Sequence, residues 1–261
     1  DPGKAILFRQ TDIPEITQLF WILGSLVPLG NLKRAHRYKD KIARGVPADF
    51  GLFAYPVLMA ADVLVFGADI VPVGKDQLQH LEFARDWATR FNVTFVPGYD
   101  PQAPRARGIL KLPDARVPRR ALLVPGTDGL KMSKSAANTI DLFAPDIEVR
   151  KQIMAIKTDS TPVASPKPVE SPLYELLGIM APPGGFAQLD ASWKAGGTGY
   201  AEFKTTLLDY FRATFAAARQ RREELRRNPG EVERVLHAGA RRAREIAAPI
   251  MVRGRQGVGI R

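Results

Sequence analysis

The order of apolar segments predicts an α/β domain built on a parallel sheet, followed by an all-α region. Three observations carry that expectation. Short apolar runs suited to strands lie at Ala5–Arg9, Asp69–Val73 and Ala121–Val124, with helical periodicity between them. The stretch Val73-Gly74-Lys75 joins a strand end to a helix start through glycine, and open α/β sheets bind ligands at such junctions. Beyond residue 200 the apolar residues recur every three or four positions, with no strand pattern. The expected boundary between the two regions falls at 140/141.

Composition narrows the function classes. A chain of 261 residues holds one large or two modest domains. It contains no cysteine, which excludes a disulfide framework and any Cys-based metal site and fits a reducing cytoplasm. No run approaches the ~18 apolar residues of a membrane span. The net charge of +11 points to an anionic partner, and residues 204–261 alone hold 14 Lys/Arg against 6 Asp/Glu. Nucleic acid is therefore expected on the C-terminal part.

Taken in order, Asp12-Ile13-Pro14-Glu15 has the shape of a capping box ahead of a helix over Ile16–Val27. Asn31 caps a second helix ending near Gly45, with Arg34, Arg37, Lys39 and Lys41 as a basic face. Asp49 precedes a helix over Phe50–Val65, which Pro56 should kink or restart. On it Tyr55, Met59 and Asp62 are four and three apart and share one face. Asp62 lies amid Ala60, Ala61, Val63 and Leu64, and a carboxylate in apolar surroundings is costly without a hydrogen-bond donor. A partly exposed Asp or a local cap is the commoner explanation of such a residue.

After Gly74 a helix is expected over Lys75–Phe91, closed by Asn92. Backbone N–H groups at its start favour anions, and glycine permits close approach of a ligand. Asp76 also suits the helix dipole. Residues 92–120 read as loops and short strands. A turn, Pro125-Gly126-Thr127-Asp128-Gly129, then leads into Lys131-Met132-Ser133-Lys134-Ser135, read as a mobile loop. Two ammonium groups and two hydroxyls there can stabilise charge developing on a polyphosphate. A helix is expected around Asp146–Ile156, then a proline-rich crossing, and Ser171-Pro172 opens another helix over Leu173–Met180. Pro182-Pro183-Gly184-Gly185 breaks it. Long helices follow at Tyr200–Arg227 and beyond Asn228. The last carries Val232, Val235, Leu236, Ala240, Ala243, Ile246, Ala247 and Ile250 as a stripe expected to join a helical bundle. Arginines 219, 221, 222, 226, 227, 241, 242 and 244 lie outside the stripe, as a solvated face or as contacts for phosphates.

Lys-Met-Ser-Lys-Ser after an α/β strand resembles the second signature of class I aminoacyl-tRNA synthetases. Tyr55-Pro56-Val57-Leu58-Met59-Ala60-Ala61-Asp62 together with Val71-Pro72-Val73-Gly74-Lys75-Asp76-Gln77-Leu78-Gln79-His80 is similar to the tryptophanyl-tRNA synthetase family, from about Ala5 onwards. The resemblance implies a Rossmann-type nucleotide-binding domain plus a helical, tRNA anticodon-binding one. It implies ATP with Mg²⁺ as co-substrate, L-tryptophan and tRNA(Trp) as partners, a homodimer, and no membrane. It places the indole N–H on Asp62 and walls the ring with Tyr55 and Met59. Gln77 takes the amino or carboxylate group of tryptophan. Gly74, Lys75 and Asp76 serve ATP near its ribose, Leu122 lies against adenine, and Lys41, with Lys39, reaches the triphosphate. Lys131 and Lys134 hold the leaving pyrophosphate with Ser133 as donor, Met132 and Ser135 completing that ATP contact. His80 is a packed or hydrogen-bonded histidine outside the site.

The family's first signature, His-x-Gly-His or His-x-Gly-Asn, does not occur in this sequence. A fragment lacking that segment, impaired on its own, is therefore expected. Two rivals stand beside this expectation. Tyrosyl-tRNA synthetase shares the architecture but typically has Gln and Tyr where Met59 and Ala61 stand. A non-catalytic RNA- or partner-binding relative would keep the fold alone. The lack of a Gly-x-Gly-x-x-Gly turn joining a strand to a helix argues against a pyridine-nucleotide oxidoreductase.

Overall fold

The computed structural model describes residues 3–34, 38, 42–43, 45, 47, 49–103, 106–117 and 124–260. Two compact units emerge, one formed by residues 1–121 with 230–261 and the other by 122–229. This partition differs from the boundary at 140/141. The Lys/Ser loop groups with the helices that follow it, and the last helix groups with the first unit.

In the first unit the parallel sheet is short. Strand β1 (Ile70–Pro72) pairs in parallel with β2 (Asp114–Arg116), Val71 opposite Ala115. The segment 5–9 carries no ladder among the described residues. Helix α1 (Pro14–Gly24) begins later than a capping box at Asp12 requires. Residues Gln10–Asp12 form a 3₁₀ turn, Pro14 takes the first helical position, and Asp12 pairs with Arg9 at 3.2 Å instead of capping. Glu15 turns inward and is held by Arg244 at 3.1 Å. A short α2 (Leu29–Lys33) precedes α3 (Phe50–Leu64), which Asp49 caps by accepting from the Leu52 N–H at 2.6 Å. Pro56 lies inside α3, which runs from Phe50 to Leu64 without the expected restart.

Helix α4 starts in α-geometry only at Leu78, after a 3₁₀ turn at Lys75–Gln77, and runs on to Phe95. Asn92 is therefore no terminator. It is fully buried, and its amide donates to the Leu110 carbonyl at 2.7 Å and accepts from the Leu110 N–H at 3.0 Å. A side chain thus mimics a strand, satisfying one residue's backbone in the interior.

The second unit is helical: α5 (Asp146–Met154), α6 (Pro172–Met180), α7 (Gly185–Ala195) and α8 (Tyr200–Arg227). Helix α7 was not anticipated, because Gly184-Gly185 reads as a breaker. Gly184 takes φ +80° and Gly185 already starts the helix, whose Trp193 is fully buried against Tyr174, Tyr200 and Phe203.

The last helix, α9 (Pro229–Val258), corrects the expected bundle. Its Ala240, Ala243, Ala247 and Met251 enter the same core as Ile16, Leu64 and Phe91, while Ile246 remains exposed. The segment 5–8 crosses α9 so closely that a Cβ on Gly239 would overlap the Leu7 carbonyl oxygen. Among the described residues no helix is long and apolar enough to cross a membrane.

Candidate active site

In the first unit, α3 presents Tyr55, Met59 and Asp62 on one half-buried face, as their spacing requires. The Tyr55 hydroxyl lies 3.0 Å from Nε2 of His80, a buried residue of α4, with the rings 5.5 Å apart. His80 thereby fixes the tyrosine ring. The Asp62 carboxylate has a protein donor that the sequence did not reveal. Gln10 Nε2 donates to Oδ1 at 2.7 Å and to Oδ2 at 2.9 Å. Burial pushes the Asp62 carboxyl above its ordinary value, and the Gln10 amide pulls it partly back.

The strand–glycine–helix junction follows. Gly74 is extended, and a Cβ there would stand 2.7 Å from Asp76 Oδ1, so a side chain at this position would turn the Asp76 carboxylate away. The Gln77 amide donates to Asp76 Oδ2 at 2.9 Å. Gly74, Lys75, Asp76 and Gln77 are thus consecutive groups on one turn at the end of β1, within the same unit as the α3 face.

In the second unit the Lys/Ser loop is a closed turn. Met132 N–H donates to the Val124 carbonyl at 3.0 Å, and Lys131 bridges Pro125 in antiparallel fashion. Its frame is Asn138, buried at 3% exposure. The Asn138 side chain accepts from the Ser133 N–H at 2.8 Å and donates to Asp128 Oδ1 at 2.8 Å and to the Lys131 carbonyl at 3.2 Å. The Asn138 amide, seconded by the Leu130 N–H, holds the Asp128 carboxyl below its ordinary value. Ser133 caps a 3₁₀ turn (Lys134–Ala136) by accepting from the Ala136 N–H at 3.3 Å, which leaves its own hydrogen to donate, and Ser135 Oγ lies 3.3 Å away. Met132 packs toward the helical core. The Lys131 and Lys134 side chains are exposed, and neither ammonium makes an ion pair or hydrogen bond with another described residue. Lys39, Lys41 and Leu122 lie outside the described residues.

The arginines of α8 and α9 divide. Arg219 donates to the carbonyls of Leu142 and Ala144 at 2.6 and 2.7 Å, and Arg222 lies over the Phe143 ring. Arg221 and Arg226 pair with Glu224 and Glu223. These four serve local structure first.

A glycine turn at the end of a parallel strand in the first unit and a Lys-Met-Ser-Lys-Ser loop in the second are the marks of a class I synthetase. Residues 1–180 match the family of tRNA synthetases class I (W and Y), to which the chain belongs. A tryptophan–tRNA ligase from Rhodopirellula baltica is 45% identical over 262 residues, covering 100% of this chain and 78% of the relative. Another from Fusobacterium nucleatum is 42% identical over 260 residues, covering 100% and 77%. Tryptophanyl-tRNA synthetase from Campylobacter jejuni, complexed with ADP and tryptophan, superposes with a TM-score of 0.88 at 42% identity, covering 100% of this chain and 78% of its own. Within the family, the chain stands in the tryptophanyl branch.

Proposed function

We infer that this protein is a tryptophan–tRNA ligase that activates L-tryptophan with ATP and transfers it to tRNA(Trp). The observation that carries the reading, beside membership of the tryptophanyl branch, is the half-buried Asp62 carboxylate on the same face as Tyr55 and Met59. A desolvated carboxylate accepts strongly from an indole N–H, which can only donate. The apolar ring then lies against Met59 and Tyr55, the latter held by His80. Gln77 orients the amino or carboxylate group.

Activation joins a tryptophan carboxylate oxygen to the α-phosphorus of ATP and breaks the bond to the β-phosphate bridge, with negative charge moving onto pyrophosphate. The nucleophile comes with the substrate, so the protein contributes positioning and charge stabilisation. Gly74, Lys75 and Asp76 serve the nucleotide near its ribose. Lys131 and Lys134 neutralise the leaving pyrophosphate, Ser133 donates to it, and Met132 and Ser135 complete the loop's contact. Lys41 on the triphosphate and Leu122 on adenine complete the reading from family position. Magnesium enters bound to the ATP phosphates, as part of the substrate.

The tRNA contact falls to the basic helices, where Arg227 and Arg241 are favoured over Arg219, Arg221, Arg222, Arg226 and Arg244, which are engaged locally. A homodimer is supported by an apolar hollow lined by the half-buried Phe20 and Phe53 and flanked by the exposed Leu29, Trp21 and Phe50, the last two at 71% exposure each. The reaction belongs to the cytoplasm. The test is amino-acid-dependent ATP–pyrophosphate exchange. Exchange with tryptophan and with neither tyrosine nor phenylalanine is expected, and exchange with tyrosine alone would move the protein to the sister specificity.

A further inference from the structure

Gln10 sits outside every motif that identifies the family, yet it provides the hydrogen bonds resolved on the Asp62 carboxylate. The contact is tertiary: the residues are 52 positions apart, Gln10 on the 3₁₀ turn after the extended segment 5–9 and Asp62 on α3. A surface glutamine normally spends its side-chain entropy in water, so a fixed amide shared by both carboxylate oxygens needs a reason. Chemistry supplies one. A carboxylate offers about four acceptor positions, and a single amide nitrogen straddling both oxygens leaves room for a second donor.

A neutral donor is also the right kind. Lysine or arginine at this position would neutralise Asp62 and weaken its pull on a dipolar N–H. An apolar side chain would leave the half-buried carboxylate free to rotate or to take up a proton, which burial already favours. Glutamine fixes the oxygens and leaves the charge in place.

We propose that Gln10 is a positioning residue for amino-acid selection, holding the Asp62 carboxylate oriented to accept the indole N–H of tryptophan. The proposal rests on the assignment of Asp62 to the indole. Its chemistry requires that the effect of Gln10 depend on that N–H and on nothing else in the substrate.

The experiment compares L-tryptophan with L-3-benzothienylalanine, in which sulfur replaces the N–H, by ATP–pyrophosphate exchange with the full chain and its variants Gln10→Met and Gln10→Ala. Wild type should prefer tryptophan by roughly 100-fold or more in kcat/KM. Gln10→Met, isosteric but without a donor, should cut that preference about 10-fold through the KM for tryptophan, leaving the thienyl analogue, kcat and the KM for ATP unchanged. Gln10→Ala should do the same, and because Gln10 is exposed neither change threatens the core. Equal loss with both amino acids would show a merely structural role and overturn the proposal, as would an unchanged preference in both variants. A wild type that binds tryptophan no more tightly than the thienyl analogue, read by equilibrium titration where the missing first signature leaves exchange too slow to measure, would remove the assignment of Asp62 and this proposal with it.

Discussion

Replacing Asn138 by alanine should disable the Lys/Ser loop without touching a lysine or a serine. Asn138 is buried, and its side chain ties three points of the loop: the Ser133 N–H, the Lys131 carbonyl and Asp128. Its main-chain bond, accepting from the Thr127 N–H at 2.9 Å, survives the substitution. Setting aside the arm to the exposed Asp128, two hydrogen bonds to main-chain groups are lost, each contributing about 0.5–1.5 kcal/mol. The stability loss is then about 2 kcal/mol, or roughly 4–8 °C in Tm for a chain of this size. The functional loss should be larger. Lys131 and Ser133 flank the released backbone, and a displacement of ~1 Å at charge-stabilising groups costs on the order of 100-fold in rate. Pyrophosphate exchange should therefore show kcat lower by about 10- to 100-fold with the KM for tryptophan unchanged, and thermal unfolding gives the Tm. Wild-type kcat together with wild-type Tm would refute the claim that Asn138 frames the loop.

Asp62→Asn should raise the KM for tryptophan about 10- to 100-fold, the value of a hydrogen bond to a charged acceptor, while raising Tm at pH 7. The sign follows from the raised carboxyl: the folded protein binds this proton more tightly than the unfolded chain, so ionising Asp62 costs stability. That cost is absent below the unfolded value and complete once pH has risen through the raised one. The Tm advantage of Asn should accordingly vanish in acid, and an advantage independent of pH would contradict the desolvation argument. Lys131→Ala and Lys134→Ala should each lower kcat of exchange by roughly 100-fold or more with little effect on tryptophan KM, read from steady-state kinetics, and an effect on KM alone would place them in ground-state binding. Gly239→Ala must push the segment 5–8 away from α9, costing about 1–3 kcal/mol in denaturant unfolding, and an unchanged midpoint would show that the segment yields freely.

The features legible in the sequence are local ones. The cap at Asp49, the opening of α6 at Ser171-Pro172 and both ends of α8 at Tyr200 and Arg227 depend on neighbours within a turn, and the structure has them there. The shared face of Tyr55, Met59 and Asp62 follows from helical spacing alone, and the glycine turn after β1 from a strand meeting a helix. A carboxylate among alanines and a doubled lysine in a serine turn also announce their chemistry by residue type.

Tertiary structure decided whatever depends on residues distant in sequence. Nothing near Asp62 names Gln10 as its donor, nothing near Asn92 names Leu110, and the inward turn of Glu15 waits on Arg244. The stripe on α9 has the same period whichever core it enters, and the partners it meets in the first unit, Ile16, Leu64 and Phe91 among them, are distant in sequence. Asp12 is the exception, a cap lost to neighbours within one turn, since Pro14 sets the helix start and Arg9 offers a charged partner. Periodicity and capping are properties of a few consecutive residues, so a sequence displays them. A hydrogen bond across 52 positions exists only once the chain has closed the loop between its ends.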